Sequence, residues 1–201
     1  MKKTALMAAM FLMASCGMNV RLTMTPEEAR LINESPEVMR ILSIDDEEDL
    51  AVLRNPSVDF NLEDLDTEEY RTLARKLQVT LESTDGGVGL AAPQVGINRR
   101  VVAVQRVDKE DEPIEVYPNI RIEAFRGEMQ EGPEGCLSVP DQSGDVLRYR
   151  DITIVYTDIN SGRKDRPREI REDVSGFAAV IFQHEVDHLE GVIFTDRLSG
   201  E

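Results

Sequence analysis

The segment Phe177 to His188 reads Phe-Ala-Ala-Val-Ile-Phe-Gln-His-Glu-Val-Asp-His, and it constrains the fold more than any other stretch of the chain. It contains both histidines of the sequence, His184 and His188, in the pattern H-E-x-x-H. Positions i and i+4 of a helix lie about 40° apart around its axis, so both imidazoles can reach one metal ion while Glu185 stands beside it. The turns before them are apolar nearly all round, so this helix belongs in the interior, where two imidazoles need a partner. The spacing predicts a helix from about Ser175 to Glu190, with Phe177, Val180, Ile181, His184 and His188 on one stripe and Gly191 closing its C-terminal end. Whatever the fold, its other elements must wrap this segment.

The remaining chain can supply that wrapping. At 201 residues it is long enough for one well-cored catalytic domain. Thr25-Pro26-Glu27-Glu28 and Ser35-Pro36 each predict the start of a short helix packing outside the core. Asp66 and Glu69 open a longer helix in which Tyr70, Leu73, Leu77 and Leu81 recur at helical spacing, ending before Asp85-Gly86-Gly87. Val101 to Val104 reads as a strand, as does Ile114 to Ile122 with a break at Pro118-Asn119. Ile152, Ile154 and Tyr156 alternate with Thr153, Val155 and Thr157, and Asn160-Ser161-Gly162 then turns the chain. Helices and antiparallel strands in this order give an α+β class.

A formal charge of -16 argues against nucleic acid or an anionic membrane surface as a partner and fits a neutral or cationic substrate. Two cysteines, Cys16 and Cys136, do not make a disulfide framework. Cys16 ends a segment with Lys2, Lys3, the apolar run Ala5 to Ala14 and Met13-Ala14-Ser15-Cys16. This segment resembles a bacterial lipoprotein signal with Cys16 as the acylated residue, and the other reading is an unprocessed cytoplasmic extension. The expected organisation is a signal over 1–16, an arm of short helices over 17–48 and a catalytic domain over 49–201. Any membrane attachment would pass through the lipid on Cys16, because the apolar run is too short to span a bilayer.

Two histidines leave a catalytic metal short of ligands. The extended pattern H-E-x-x-H-x-x-G-x-x-H would place a third at position 194, which is Phe194. Glu190 and Asp196 are near in sequence but poorly placed. Cys136 remains, within Glu134-Gly135-Cys136-Leu137-Ser138. A thiolate with two imidazoles makes a three-ligand site that can hold Zn²⁺ or Fe²⁺, while core packing is the other role open to a lone cysteine.

Gly87-Val88-Gly89-Leu90-Ala91-Ala92-Pro93-Gln94, Glu134-Gly135-Cys136-Leu137-Ser138 and Gln183-His184-Glu185-Val186-Asp187-His188 together resemble the three ordered motifs of the peptide deformylases. The resemblance covers roughly residues 49 to 197. It implies an α+β fold with mixed or antiparallel strands around a metal-bearing C-terminal helix. It also implies that Cys136, His184 and His188 ligate one divalent metal, with Fe²⁺ expected and Zn²⁺, Ni²⁺ or Co²⁺ also suited. Glu185 would move the proton of the attacking water, and the Gln94 amide and the Leu137 backbone N–H would hold the oxyanion. Val88, Gly89 and Leu90 would lie beside the substrate backbone, and Phe177, Val180 and Ile181 would line the methionine pocket. Glu134 and Arg148 would support the cysteine loop.

The implied substrate is an N-formyl-methionyl peptide or nascent chain, from which formate is released during protein biosynthesis. Family precedent is cytoplasmic, in tension with the export-like N-terminus. Two other readings are a related metal amidase or aminopeptidase of altered substrate choice, and a non-catalytic formyl-peptide-binding module. The presence of both Glu185 and Gln94 argues against the last, because metal binding alone needs neither.

Overall fold

The computed structural model describes residues 21–159 and 168–200. Its elements are β1 (Arg21–Leu22), α1 (Pro26–Glu34), α2 (Glu47–Leu53), β2 (Asp59–Phe60), α3 (Glu68–Glu82), β3 (Gly89–Ala91), β4 (Val101–Gln105), β5 (Ile114–Pro118), β6 (Arg121–Cys136), β7 (Val139–Asp158), β8 (Arg168–Ser175) and α4 (Phe177–Leu189). Short 3₁₀ turns occupy Asp64–Asp66, Ala92–Val95 and Phe194–Arg197. Strands β3-β4-β5 and β6-β7-β8 form two antiparallel three-stranded sheets, and β1 pairs with β2 in parallel. This is the α+β architecture predicted from the sequence, with the last helix against both larger sheets.

Strand alternation in β4 separates the two larger of three hydrophobic cores. Val101 and Ala103 pack toward α3 with Tyr70, Leu73, Leu77 and Leu81. Val102 and Val104 point the other way, joining Ile152, Ile154 and the α4 residues Ala178, Ala179, Ile181 and Phe182. Because sheets cover α4 on more than one side, Ala178 to Gln183 and Glu185 to Leu189 are all buried, so the helix does not present the single apolar stripe predicted. Phe177 departs from that stripe most, being 51% exposed.

The helix begins at Phe177 rather than Ser175, because Ser175 still belongs to β8 and Gly176 turns the chain at φ 69°. Gly191, at φ 73°, closes the other end as predicted. Its N–H donates to the carbonyl of His188 at 3.1 Å, and Val192 N–H donates to that of Asp187 at 2.9 Å. A side chain at position 191 would also meet the Arg54 carbonyl at 2.3 Å.

The arm follows the sequence in part. Thr25 and Glu28 form the predicted reciprocal cap of α1, at 3.2 Å and 2.7 Å. Ser35-Pro36 starts no helix. Ser35 instead terminates α1, its N–H donating to the Leu31 carbonyl and its hydroxyl to that of Ile32. Nor do these segments stay outside the core, since Ile32 and Met39 are buried against the α3 side of the interior. The cap of α3 is Thr67, whose hydroxyl accepts the N–H of Tyr70 at 3.2 Å; Asp66 sits in the preceding turn.

The long hairpin β6-β7 carries Cys136 at the end of its first strand, and Leu137-Ser138 makes the turn. The alternation read at 152–157 is the far half of β7. Strand β8 starts at Arg168 and returns along β7. Residues 160–167 and 1–20, including Cys16 and the Asn160-Ser161-Gly162 turn, lie outside the described residues.

Candidate metal centre and active site

One turn of α4 and the end of β6 bring Cys136, His184 and His188 together, with one donor atom from each lying within 4.8 Å of the others. Cys136 Sγ is 3.2 Å from His188 Nε2. His184 Nδ1 is 2.9 Å from Glu134 Oε2. Burial opposes ionisation of Glu134, but hydrogen bonds from His184 and Arg148 outweigh it and hold the carboxyl down at about 2. An ionised carboxylate only accepts, so Nδ1 of His184 carries a proton toward Glu134, and Nε2 is the ring atom left to face the cluster.

Burial would discharge both imidazoles, yet hydrogen bonds to Cys136 and Glu134 raise His184 to about 10, whereas burial and the neighbouring His184 push His188 well below its ordinary value. Two buried imidazoles and a thiol at this spacing compete for the same protons, a conflict that a divalent cation relieves. The donor set, one soft sulfur and two nitrogens with a fourth position open, fits a catalytic metal.

Glu185 follows His184 on the helix and is 4% exposed. Burial raises its carboxyl to about 7, a value suited to exchanging protons near neutrality. Its Oε2 has no hydrogen-bond partner among the described residues. The carboxylate fits because position 89 is glycine, where a Cβ would lie 2.2 Å from Glu185 Oε1. Gln94 is oriented just as closely. Its Oε1 accepts the Ala91 N–H at 2.8 Å, so its NH₂ must face the other way, toward Ser138 Oγ at 3.2 Å and Cys136 Sγ at 3.6 Å.

These groups open onto a cavity of about 370 Å³. Val88, Gly89, Gln94, Glu134, Cys136, Leu137, Phe177, Val180, Ile181, His184 and Glu185, all singled out from the sequence, line it. Leu90 does not, because strand alternation turns its side chain into the α3 core. His188 lies behind, 1% exposed. The pair Glu134 and Arg148 is bidentate, at 2.7 Å and 3.0 Å.

Several contributors escape sequence reading. Asp187 accepts from Arg148 and Arg197 at 2.6 Å each, so an ion-pair chain runs from Arg197 to His184. Asp187 stood inside the H-E-x-x-H motif, but its partners come from other elements, Arg148 from β7 and Arg197 from the turn after α4. The arm also touches the site. Leu42 N–H donates to the Gln94 carbonyl at 2.8 Å and Ile44 N–H to the Ser138 carbonyl at 3.0 Å, tying two of the three motifs to one another. No sequence signal marks such backbone contacts.

The family model described as polypeptide deformylase matches residues 38–201. Peptide deformylase 1 of Vibrio vulnificus is 41% identical over 134 residues, covering 67% of this chain and 75% of that protein. A class I type b peptide deformylase from Acinetobacter baumannii superposes with a TM-score of 0.69 at 33% identity, over 80% of this chain and 99% of that one. The peptide deformylase of Thermotoga maritima gives 0.68 at 31%, over 81% and 99%. Since the match spans most of the chain in sequence and in fold and includes all three motifs that converge on the cavity, the chain belongs to the polypeptide deformylase family.

Proposed function

We propose that this chain removes the formyl group from formyl-methionyl peptides and nascent chains at the Cys136-His184-His188 centre, with Glu185 and Gln94 as its working groups. The observation that carries the reading is the meeting of a three-donor cluster, a buried carboxylate without a partner and an oriented amide donor in one cavity. The family is one of metal-dependent hydrolases acting on the formyl-peptide amide. A relative of the same fold from Acinetobacter baumannii, 32% identical with a TM-score of 0.67, has been solved with Met-Ala-Ser bound.

Cys136, His184 and His188 would hold one divalent ion, Fe²⁺ by our reading, with Zn²⁺, Ni²⁺ or Co²⁺ as substitutes. Such an ion supplies Lewis acidity toward the formyl carbonyl and toward water. Glu185 takes the proton of the attacking water and passes it to the departing amine, a transfer suited to a carboxyl near 7. Gln94 Nε2 and the Leu137 backbone N–H donate to the oxygen on which negative charge develops, and Ala91 keeps the amide turned the right way.

Strand β3 is the outer strand of its sheet, so Val88 and Gly89 offer a backbone edge along which an extended peptide can lie. Phe177, Val180 and Ile181 provide the apolar wall for the methionine side chain. Glu134, Arg148 and Asp187 keep the His184 ring in place from behind.

The test is formate release from a formyl-Met peptide by protein prepared anaerobically with Fe²⁺ or Ni²⁺. Glu185→Ala is expected to lower turnover about a thousandfold with metal still bound. Formate release that persists in this variant would overturn the role given to Glu185, and a metal-loaded wild type that releases none would overturn the substrate.

A further inference from the structure

We infer that Arg150 is a specificity-determining residue of this cleft, its guanidinium binding a carboxylate that the substrate carries downstream of formyl-methionine. The inference rests on the deformylase reading above.

Arg150 is set apart by what it does not touch. The chain has 39 acidic residues against 23 basic ones. Among the arginines whose side chains are described, Arg30, Arg40, Arg54, Arg71, Arg75, Arg99, Arg100, Arg106, Arg121, Arg126, Arg148, Arg171 and Arg197 all meet a carboxylate. Arg150 alone of that set meets none, and its Nε is buried without a hydrogen-bond partner. Leaving a desolvated guanidinium N–H unpaired is costly, and in so acidic a chain a partner would be easy to provide. The arrangement makes physical sense where the partner arrives with a ligand.

Its position points to the same conclusion. Arg150 stands two residues beyond Arg148 on β7 and therefore on the same face. Arg148 reaches diagonally across the hairpin to Glu134, beside the metal centre. Arg150 repeats that diagonal one step farther out, its Nη2 lying 3.3 Å from where a Cβ on Gly132 would stand. The glycine admits the guanidinium to the wall that continues through Pro133, Glu134 and Gly135 into the cavity. On its other flank, the Arg150 carbonyl accepts the N–H of Gly176 at 2.7 Å, and the next residue, Phe177, forms the exposed rim of the same cavity. Arg150 thus stands just outside the residues that line the cavity, next in sequence or space to two segments that enter it, Pro133 to Cys136 and Phe177.

From Cys136 back to Gly132 is four residues of strand, about 13 Å, the reach of three to four extended peptide residues. A formyl-tripeptide with its formyl group at the metal centre would bring its C-terminal carboxylate to this level, and a longer chain would bring an acidic side chain. A guanidinium recognises either through paired, charge-assisted hydrogen bonds.

The experiment compares formyl-Met-Ala-Ser with its C-terminal amide, and formyl-Met-Ala-Asp-amide with formyl-Met-Ala-Asn-amide, on the metal-loaded wild type, Arg150→Met and Arg150→Lys. Wild type is expected to show a lower KM for the acid than for its neutral counterpart in at least one of the two pairs. Which pair discriminates more tells terminus from side chain. Arg150→Met should raise KM for the acids about tenfold, leaving kcat and the neutral peptides within about twofold, and Arg150→Lys should recover part of the loss. A change shared equally by acids and amides would assign Arg150 a purely structural role. If Arg150→Met does not fold, the wild-type preference and its decline with added salt still decide the matter, since equal KM for acid and amide overturns the inference alone. Absence of formate from every peptide would overturn the deformylase reading, and this inference with it.

Discussion

Gly89 and Glu185 occupy space that only one of them can fill, and the chemistry depends on that allotment. A methyl group at position 89 would sit 2.2 Å from Glu185 Oε1 and push the carboxylate out of its place beside the metal cluster. Gly89→Ala is therefore expected to lower kcat about a hundredfold with metal content unchanged, as measured by steady-state formate release beside elemental analysis. Gln94 is held at one end by the Ala91 N–H, which leaves its other end free to donate. Gln94→Ala should cost kcat about a hundredfold while KM and metal content stay close to wild type. If metal content falls in step with kcat, Gln94 supports the Cys136 thiolate instead of the reacting oxygen. Cys136→Ser exchanges the sulfur donor for a harder oxygen, and weaker retention of the ion during dialysis against a chelator is the expected result.

At the scale of elements, the arm from Thr25 to Ile44 belongs to the working machinery. Glu28 both caps α1 and accepts two bonds from Arg99, at 2.6 Å and 2.7 Å, and Arg99 is 2% exposed. Arg99 also donates to the carbonyls of Thr23 and Asp59 and lies over the Phe60 ring, so one guanidinium joins the arm to the β1-β2 ribbon. Removing one member of a buried pair strands the other. Arg99→Met is expected to lose about 3 kcal/mol of stability, read from urea unfolding. Because Leu42 and Ile44 bind the backbones at Gln94 and Ser138, the same variant should also lose turnover in native buffer. Unaltered kcat in a clearly destabilised variant would show that the arm stabilises the fold without aligning the site.

For the whole molecule, the charge balance sets the response to acid. Several carboxyls outside the metal centre titrate below their ordinary values: hydrogen bonds from Arg99 and Thr25 outweigh burial for Glu28, and Asp108 and Asp196 are lowered chiefly by their bonds to Arg106 and Arg54. A carboxyl whose folded-state pKa is depressed contributes stability that is present above its unfolded value, here 4.5 for Glu and 3.8 for Asp, and is lost as pH falls through the folded value. The urea midpoint should therefore fall between about pH 6 and about pH 3, and Arg99→Met, which frees Glu28, should flatten that dependence. An equal slope in both proteins would remove Glu28 from the account.

The amino-acid sequence by itself determined the elements and motifs whose signals are local. Tyr70, Leu73, Leu77 and Leu81 announced α3, the alternation at 152–157 announced β7, and H-E-x-x-H on an apolar run announced two imidazoles and a carboxylate on one helical turn, because periodicity depends only on neighbours along the chain. Three ordered motifs sufficed for the family. Strand β6 went largely unread, since Gly127, Gly132-Pro133 and Gly135 look like turns until β7 is laid beside them. Ser35-Pro36 misled because a hydroxyl before a proline serves equally well to end one helix as to begin another, and only the carbonyl of Ile32 decides which. Leu90 was read as lying beside the substrate backbone, and only the pleat set by pairing with Ala103 shows that its side chain turns inward. The meeting of Cys136 with His188, the ion-pair chain through Asp187, the arm's grip on Gln94 and Ser138, and an Arg150 without a carboxylate were decided by the tertiary structure alone. The first three join groups that are mostly tens of residues apart, the last depends on every element packed around Arg150, and no local pattern encodes distances that arise only when separate elements pack against one another.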